Sequence, residues 1–341
     1  MRAMILAAGY GTRLWPLTLD RAKPALPFMG RPLVGYVAEY LARYGCGEII
    51  VNLHHRPESV RAALGDGGAF GVRLSYIEEP EILGTSGAID NARAFLDTDT
   101  FIVVNGKIAT DIDLHDALAT HRRERALATL VLRRNVERAR YSTVEVENNL
   151  VKSFGGYPVF TSDNAGSASR ASEPGSASED DYAPLMFTGI QILDPRIFDY
   201  IPRGVFSHSV TDVYIPAIAR GERIAAHVAG GMWHELSTIP RYRDISLALM
   251  RLEGRDVQLG RDSVIAPGAD VQEAILWEEV RVEAGARVRR AILGAGVRIG
   301  AGEVIEDAAV VRAALVRPEE RPAKALEGVV RGDNFVVPLA Q

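Results

Sequence analysis

Cysteine is almost absent from this chain. Cys46 stands alone among 341 residues, so no internal disulfide is available. It falls in an expected helix-to-strand turn and reads as a partly buried thiol. Charge of one sign is also scarce: 39 Lys and Arg against 44 Asp and Glu leave a net charge of −5. No general affinity for nucleic acid or an anionic membrane follows from that balance, although an anionic substrate would still require a local cationic patch. Long apolar runs are missing too. The opening run Ala3–Ala8 ends at Gly9 after six residues, too short for a signal-peptide core or a membrane span, and a cytoplasmic location is expected. What remains is the make-up of a soluble globular protein, 47% hydrophobic and 24% charged, with length enough for two domains.

The first 135 residues alternate strand and helix signals. AMILAAG (3–9) is a short apolar run ended by glycine, as in a strand buried on both faces. PLVGYVAEYLARYG carries apolar residues at helical spacing between Pro32 and Gly45. EIIVNLHH, VRLSYIEE, FIVVNGKI and ATLVLRRN read as further strands, with helices at PESVRAALGDG, GAIDNARAFL and DLHDALATHRRER between them. This order predicts a Rossmann-like α/β domain with a mainly parallel sheet. Ligands of such sheets sit at the carboxyl ends of the strands, which gathers the loops after Ala8, Glu79 and Asn105 around one site.

Further on, TVEVENNLVKSF has the alternation and central Asn-Asn of a hairpin, PLMFTGIQIL reads as a returning strand, and TIPRYRDISLALMRLEG as a closing helix. Residues 161–183 are rich in Ser, Ala, Gly and acids and predict a mobile surface insertion, because they offer little apolar surface to offset ordering entropy. After Gly254 the pattern changes: aliphatics recur with a period near six, Val264, Val282, Val288, Ile299 and Ile305 lying one or more such periods apart, with small residues near them. That period predicts a parallel β-helix of hexapeptide repeats over 255–318, followed by a tail at 319–341. So short a solenoid needs capping, and its aliphatic ridges predict self-association into a homo-oligomer.

The most informative segment is LAAGYGTRLWPLTLDRAKPALPF, residues 6–28. Gly9 and Gly11, directly after a strand, let backbone N–H groups approach a phosphate chain. Arg13 and Lys23 add cations that neutralise charge developing on a transferring phosphoryl group. A bare Gly-x-Gly is weak; joined to Thr12, Arg13, Pro16 and Lys23–Pro24 it is specific.

The segment resembles the G-x-G-T-R-L-x-P-L-T…K-P-x-x-P signature of sugar-1-phosphate nucleotidyltransferases. The resemblance implies condensation of a sugar 1-phosphate with a nucleoside triphosphate, giving an NDP-sugar and pyrophosphate. It extends over nearly the whole chain, since several members carry a left-handed β-helix after the catalytic domain, here 1–254. It implies nucleotide contacts from Leu6, Ala7, Ala8, Gly9, Gly11, Thr12 and Arg13, with Arg13 and Lys23 catalytic. EILGTSGAID (81–90) is similar to the segment that borders the base in the mannose-1-phosphate guanylyltransferase-like branch, which adds Gly84 and Thr85. PLMFTGIQIL and VTDVYIPAI resemble the sugar-contacting segments, which implies roles for Thr188, Gly189 and Asp212 beside Asn105.

The departures lie at the metal. The family holds Mg²⁺ with the Asp of N-G-D, and here the triplet is Asn105-Gly106-Lys107. Its W-x-D-x-G-T becomes Trp233-His234-Glu235-Leu236-Ser237-Thr238, and its E-K-P becomes Gly156-Tyr157-Pro158. An ammonium offers no ligand to Mg²⁺ and repels it, so Glu235 is left as the candidate ligand and the use of Mg²⁺ is open. Two functional readings stand at this point: a nucleotidyltransferase, or a regulatory paralogue that binds nucleotide or NDP-sugar without turnover. His54 and His55 alternate faces of a strand and read as structural, and Asp111 and Asp113 read as caps of the helix that follows.

Overall fold

The computed structural model describes residues 1–339 except 138, 140, 156 and 159–181. The insertion expected over 161–183 therefore lies, up to residue 181, outside the described residues. The chain forms two compact units that interleave in sequence. The first comprises residues 1–8, 37–54 and 66–233, and the second residues 9–36, 55–65 and 234–341.

The first unit is built on one large sheet. Its longer strands are β1 (Arg2–Leu6), β2 (Glu48–Leu53), β3 (Arg73–Glu78), β4 (Phe101–Asn105), β5 (Ala128–Arg134), β6 (Thr143–Glu147), β7 (Leu150–Phe154), β8 (Leu185–Leu193) and β9 (Ile224–Val228), and the two-residue strand Tyr157–Pro158 pairs outside β7. The sheet order is β7-β9-β5-β8-β4-β1-β2-β3, with β6 paired to β7 and β8. Strands β4, β1, β2 and β3 are parallel, as the alternating pattern predicts. The sheet as a whole is mixed rather than mainly parallel. β8 runs antiparallel to both β4 and β5, with Leu185 opposite Arg134 and Leu193 opposite both Ala128 and Phe101. Apolar side chains from β1, β4, β5 and β8 and from the segments over them form a continuous core. The predicted β6–β7 hairpin turns at Asn148 and Asn149, both with positive φ (51° and 61°), the conformation that a tight two-residue turn requires and Asn tolerates. Asp113 caps the helix Leu114–Glu124 by accepting from the His115 N–H. Cys46 is fully buried, which pushes its thiol up to about 11 and leaves it inert.

The second unit joins the signature segment to the C-terminal coils. Val257 pairs with Ala274 and Ala274 with Ala291, a step of 17 residues per coil. A second face stacks Ile265, Val282 and Ile299, and a third stacks Arg287 on Val304. Each coil turns through left-handed backbone at matched positions: Gly268, Gly285 and Gly302 at one corner, Glu273, Arg290 and Asp307 at another. Of the aliphatics recognised in the sequence, Val282, Val288, Ile299 and Ile305 fill the interior, whereas Val264 is exposed. Residues of the tail continue the sheet, with Asn334–Pro338 antiparallel to Ala308–Arg312 and Val329–Arg331 beyond it. Phe335, Val336 and Val337 are buried there, so the chain caps this side of the coils itself. The helix Ile239–Leu252 lies beside the coils, and its buried Arg243 donates to Asp307 at 3.1 Å.

Candidate active site

In the first unit, the candidate nucleotide and sugar residues cluster at the carboxyl ends of the parallel strands. Leu6 of β1 lies in register with Asn52 of β2 and Asn105 of β4, and the Gly106 N–H donates to the Leu6 carbonyl at 2.9 Å. Two residues that the sequence reading missed organise this edge. Asn52 and Glu79 are both 2% exposed. The Ala7 N–H donates to Asn52 Oδ1 at 2.7 Å, Asn52 Nδ2 donates to Glu79 Oε1 at 2.6 Å, and the Leu83 N–H donates to Glu79 Oε2 at 2.9 Å. Buried polar groups in so apolar a setting are costly unless paired. Paired, they fix the end of β1 to the loop that carries Gly84. The signal in the sequence was a polar residue inside the apolar strand IIVNL. His54 is structural as expected, its Nδ1 lying 2.7 Å from the Glu79 carbonyl.

Gly84 has φ +79°, and a Cβ there would lie 2.4 Å from the Ser207 carbonyl oxygen. The glycine thus permits a close backbone approach. The Thr85 hydroxyl accepts from the Ser209 N–H at 2.8 Å, and the Ser86 and Ser207 hydroxyls meet at 2.8 Å. These bonds zip the loop to residues 207–209. Asp212, exposed in the following turn, accepts from the His208 N–H at 2.7 Å.

Thr188 and Gly189 form a break in the β8–β5 register, between the pairs Phe187–Leu132 and Ile190–Val131. The Thr188 hydroxyl donates to the Val131 carbonyl at 2.7 Å and is buried, while its own carbonyl accepts from Trp233 Nε1 at 2.9 Å. Its hydroxyl therefore serves the strand. Gly189 has φ +82° and lies against Asn105, whose Nδ2 would be 2.2 Å from an added Cβ. The structure brings these two candidates together. Gly189→Ala is expected to displace Asn105 and to cost about 1–2 kcal/mol for the left-handed backbone alone, read as a lower melting temperature. A melt matching wild type would show that the bulge relaxes freely.

In the second unit, the signature loop places its own residues. Gly11 (φ +67°) opens the short turn Thr12–Leu14, and a Cβ on it would lie 3.0 Å from Lys23 Cβ and 3.3 Å from Thr18 Cγ2. Gly11 and Lys23 are thus packed together, while Gly9, Thr12 and Arg13 are exposed. Exposed backbone donors flanked by two cations are suited to a polyphosphate. The half-buried Glu235 lies 3.6 Å from Arg241. Among the described residues, no group of three or more His, Cys, Asp or Glu side chains is placed to hold a metal ion. Position 107 offers an ammonium and Glu235 shares its charge with Arg241, so these residues do not by themselves compose a Mg²⁺ site. Among the described residues no helix is long and apolar enough to cross a membrane.

The chain matches the family model described as nucleotidyl transferase over residues 2–251, and that described as GlmU-like, C-terminal hexapeptide over residues 254–319. It is 30% identical over 296 residues to a UTP–glucose-1-phosphate uridylyltransferase of Synechocystis sp., covering 83% of this chain and 72% of that one. It is 30% identical over 310 residues to a mannose-1-phosphate guanylyltransferase of Mycobacterium tuberculosis, with 83% and 81% covered. Among solved structures, HddC from Yersinia pseudotuberculosis complexed with GMP-PN has the same fold, with a TM-score of 0.57 at 21% identity over 73% of this chain and 99% of that one. With the signature loop and the strand-end geometry, these matches show that the chain belongs to the nucleotidyl transferase family and carries GlmU-like hexapeptide repeats.

Proposed function

We propose that this enzyme transfers a nucleotidyl group from a nucleoside triphosphate to a sugar 1-phosphate. A phosphate oxygen of the sugar attacks the α-phosphorus, the bond to the β-phosphate oxygen breaks, and pyrophosphate leaves with the bonding pair. The observation that carries this reading is the family match over 2–251. In this reading the backbone at Gly9, Gly11 and Thr12 holds the phosphates. Arg13 and Lys23 stabilise the charge that gathers on the leaving pyrophosphate. Leu6, Ala7, Ala8, Gly84 and Thr85 border the nucleoside. Asn105, Asp212 and the backbone around Thr188 and Gly189 serve the sugar. No observation favours the alternative of a silent regulatory paralogue.

The relatives differ in base and sugar, so the test is a panel: pyrophosphate release from GTP, UTP and dTTP with glucose, mannose and N-acetylated sugar 1-phosphates. Release with at least one pair is expected; nucleotide binding without release for any pair would overturn the reading.

Mg²⁺ is expected to act chiefly as a companion of the triphosphate, with Glu235 standing where the family's W-x-D-x-G-T motif has its Asp ligand. Lys107→Asp, which supplies a second carboxylate, is expected to steepen the dependence of pyrophosphate release on Mg²⁺. An unchanged Mg²⁺ titration would remove position 107 from this account. The coils are taken to wind left-handed, as in the resembling family. Leu259, Val264 and Val304 remain about half exposed on them (48%, 50% and 49%), which supports self-association. Light scattering is expected to show an oligomer at micromolar concentration, and a monomer there would contradict it.

A further inference from the structure

The segment that carries Lys23 is held before it by residues of the coils and after it by the helix Ile239–Leu252. Arg21, two residues before Lys23, pairs with Asp20 at 3.0 Å and with Glu278 of the second coil, and its guanidinium stacks over the Trp277 ring at 4.9 Å. Pro27, four residues after Lys23, accepts through its carbonyl from the Tyr242 hydroxyl, which itself accepts from Trp277 Nε1 at 3.2 Å. Trp277 is 2% exposed, so it is a fixed post rather than a mobile surface ring. Between these anchors Lys23–Ala25 forms a single tight turn, its entry held by the Ala22 N–H donating to Ser59 Oγ at 2.9 Å. Earlier in the loop, Trp15 packs edge-on against Phe335 of the tail at 5.6 Å.

We propose that Arg21, Trp277 and Glu278 are positioning residues for Lys23, so that the coils act on the transfer reaction by holding the phosphate loop in its working shape. The proposal rests on the role assigned to Lys23 above. An Arg–carboxylate pair that is partly buried, bidentate on one side and stacked on an aromatic face fixes both distance and angle, which an ordinary surface pair does not. Side-chain exposures of 18% for Arg21 and 26% for Glu278 place the pair in that partly buried class. Burial works against the Glu278 charge and Arg21 favours it, and the balance keeps this carboxyl below the usual range. A lysine moved by about 1 Å is enough to cost a large factor in rate. A strut that is rigid at Trp277 and Tyr242 therefore has catalytic consequences without touching substrate.

The test uses the full chain and the substrate pair found active in the panel, with GTP and UTP affinity by calorimetry as a second readout. Glu278→Gln is expected to lower kcat about tenfold and to leave KM for the sugar phosphate and the melting temperature close to wild type. Trp277→Phe, which keeps an aromatic face, is expected to cost less. In a Lys23→Ala background, Glu278→Gln is expected to add nothing, because both changes disable one element. The proposal is overturned if Glu278→Gln keeps kcat and NTP affinity within twofold of wild type, or if its full cost persists when Lys23 is already gone. Lys23→Ala alone separates the two levels: wild-type activity there would sink the role of Lys23 itself, whereas a dead Lys23→Ala beside an active Glu278→Gln would sink only the strut.

Discussion

Lys23→Ala is expected to slow pyrophosphate release by about 10²–10³-fold, the usual cost of removing one preorganised group that meets developing charge. Alanine keeps the Cβ that lies beside Gly11, 3.0 Å from where a Cβ on that glycine would sit, so the loop should hold its shape and only the ammonium and its stem are lost. The melting temperature should therefore stay near wild type. Lys23→Arg is expected to recover only part of the rate, since a planar fork does not reproduce a compact point charge at the same reach. Steady-state kinetics on the three proteins check this. A Lys23→Ala enzyme within a few-fold of wild type would mean that the leaving group is stabilised elsewhere.

The second large effect concerns stability rather than rate. His121, on the helix Leu114–Glu124, is 4% exposed, and its Nδ1 lies 2.9 Å from the Thr129 hydroxyl of β5. Burial pushes this imidazole down from 6.5 to about 4, with Asp194 opposing and Arg196 adding to the shift. The folded protein thus refuses a proton that the unfolded chain accepts below pH 6.5. Stability from this group is complete above that pH and is lost as the pH falls from about 6.5 to about 4. The full loss is about 3 kcal/mol, at 1.36 kcal/mol per unit. His227, half-buried and shifted down by burial as well, acts in the same direction. Denaturant titrations at pH 7.5, 6, 5 and 4.5 should show the decline, and His121→Gln should flatten it. An equal slope in that variant would assign the acid sensitivity to other groups.

Much of the architecture was legible because it is local. Strand and helix periods, the Asn148–Asn149 turn, the Asp113 cap and the six-residue spacing of the coils each depend on neighbouring residues. The glycine after the first strand was legible for the same reason, and Gly11 takes positive φ there; Gly84, also at positive φ, was marked only by resemblance. The antiparallel entry of β8 was not legible, since a strand period of two is the same in either direction. Pairing of the tail with Ala308–Arg312 was hidden likewise, because register across the chain leaves no periodic mark. At the site, Asn52 and Glu79 escaped notice since Asn52 finds its partners 45 residues before it, at Ala7, and 27 after it, at Glu79. Thr188 shows the converse. A hydroxyl read from resemblance as a sugar contact is committed to the Val131 carbonyl, a partner in the neighbouring strand that the sequence does not mark.

The claim that matters most is that the α-phosphorus is the one attacked. Incubating the active sugar 1-phosphate with NTP labelled at the α- or γ-phosphate tests it directly. The α-label is expected to appear in an NDP-sugar and the γ-label in pyrophosphate, in equal amounts. Release of the γ-label as inorganic phosphate or its transfer to the sugar, with the α-label left in a free nucleotide, would contradict it.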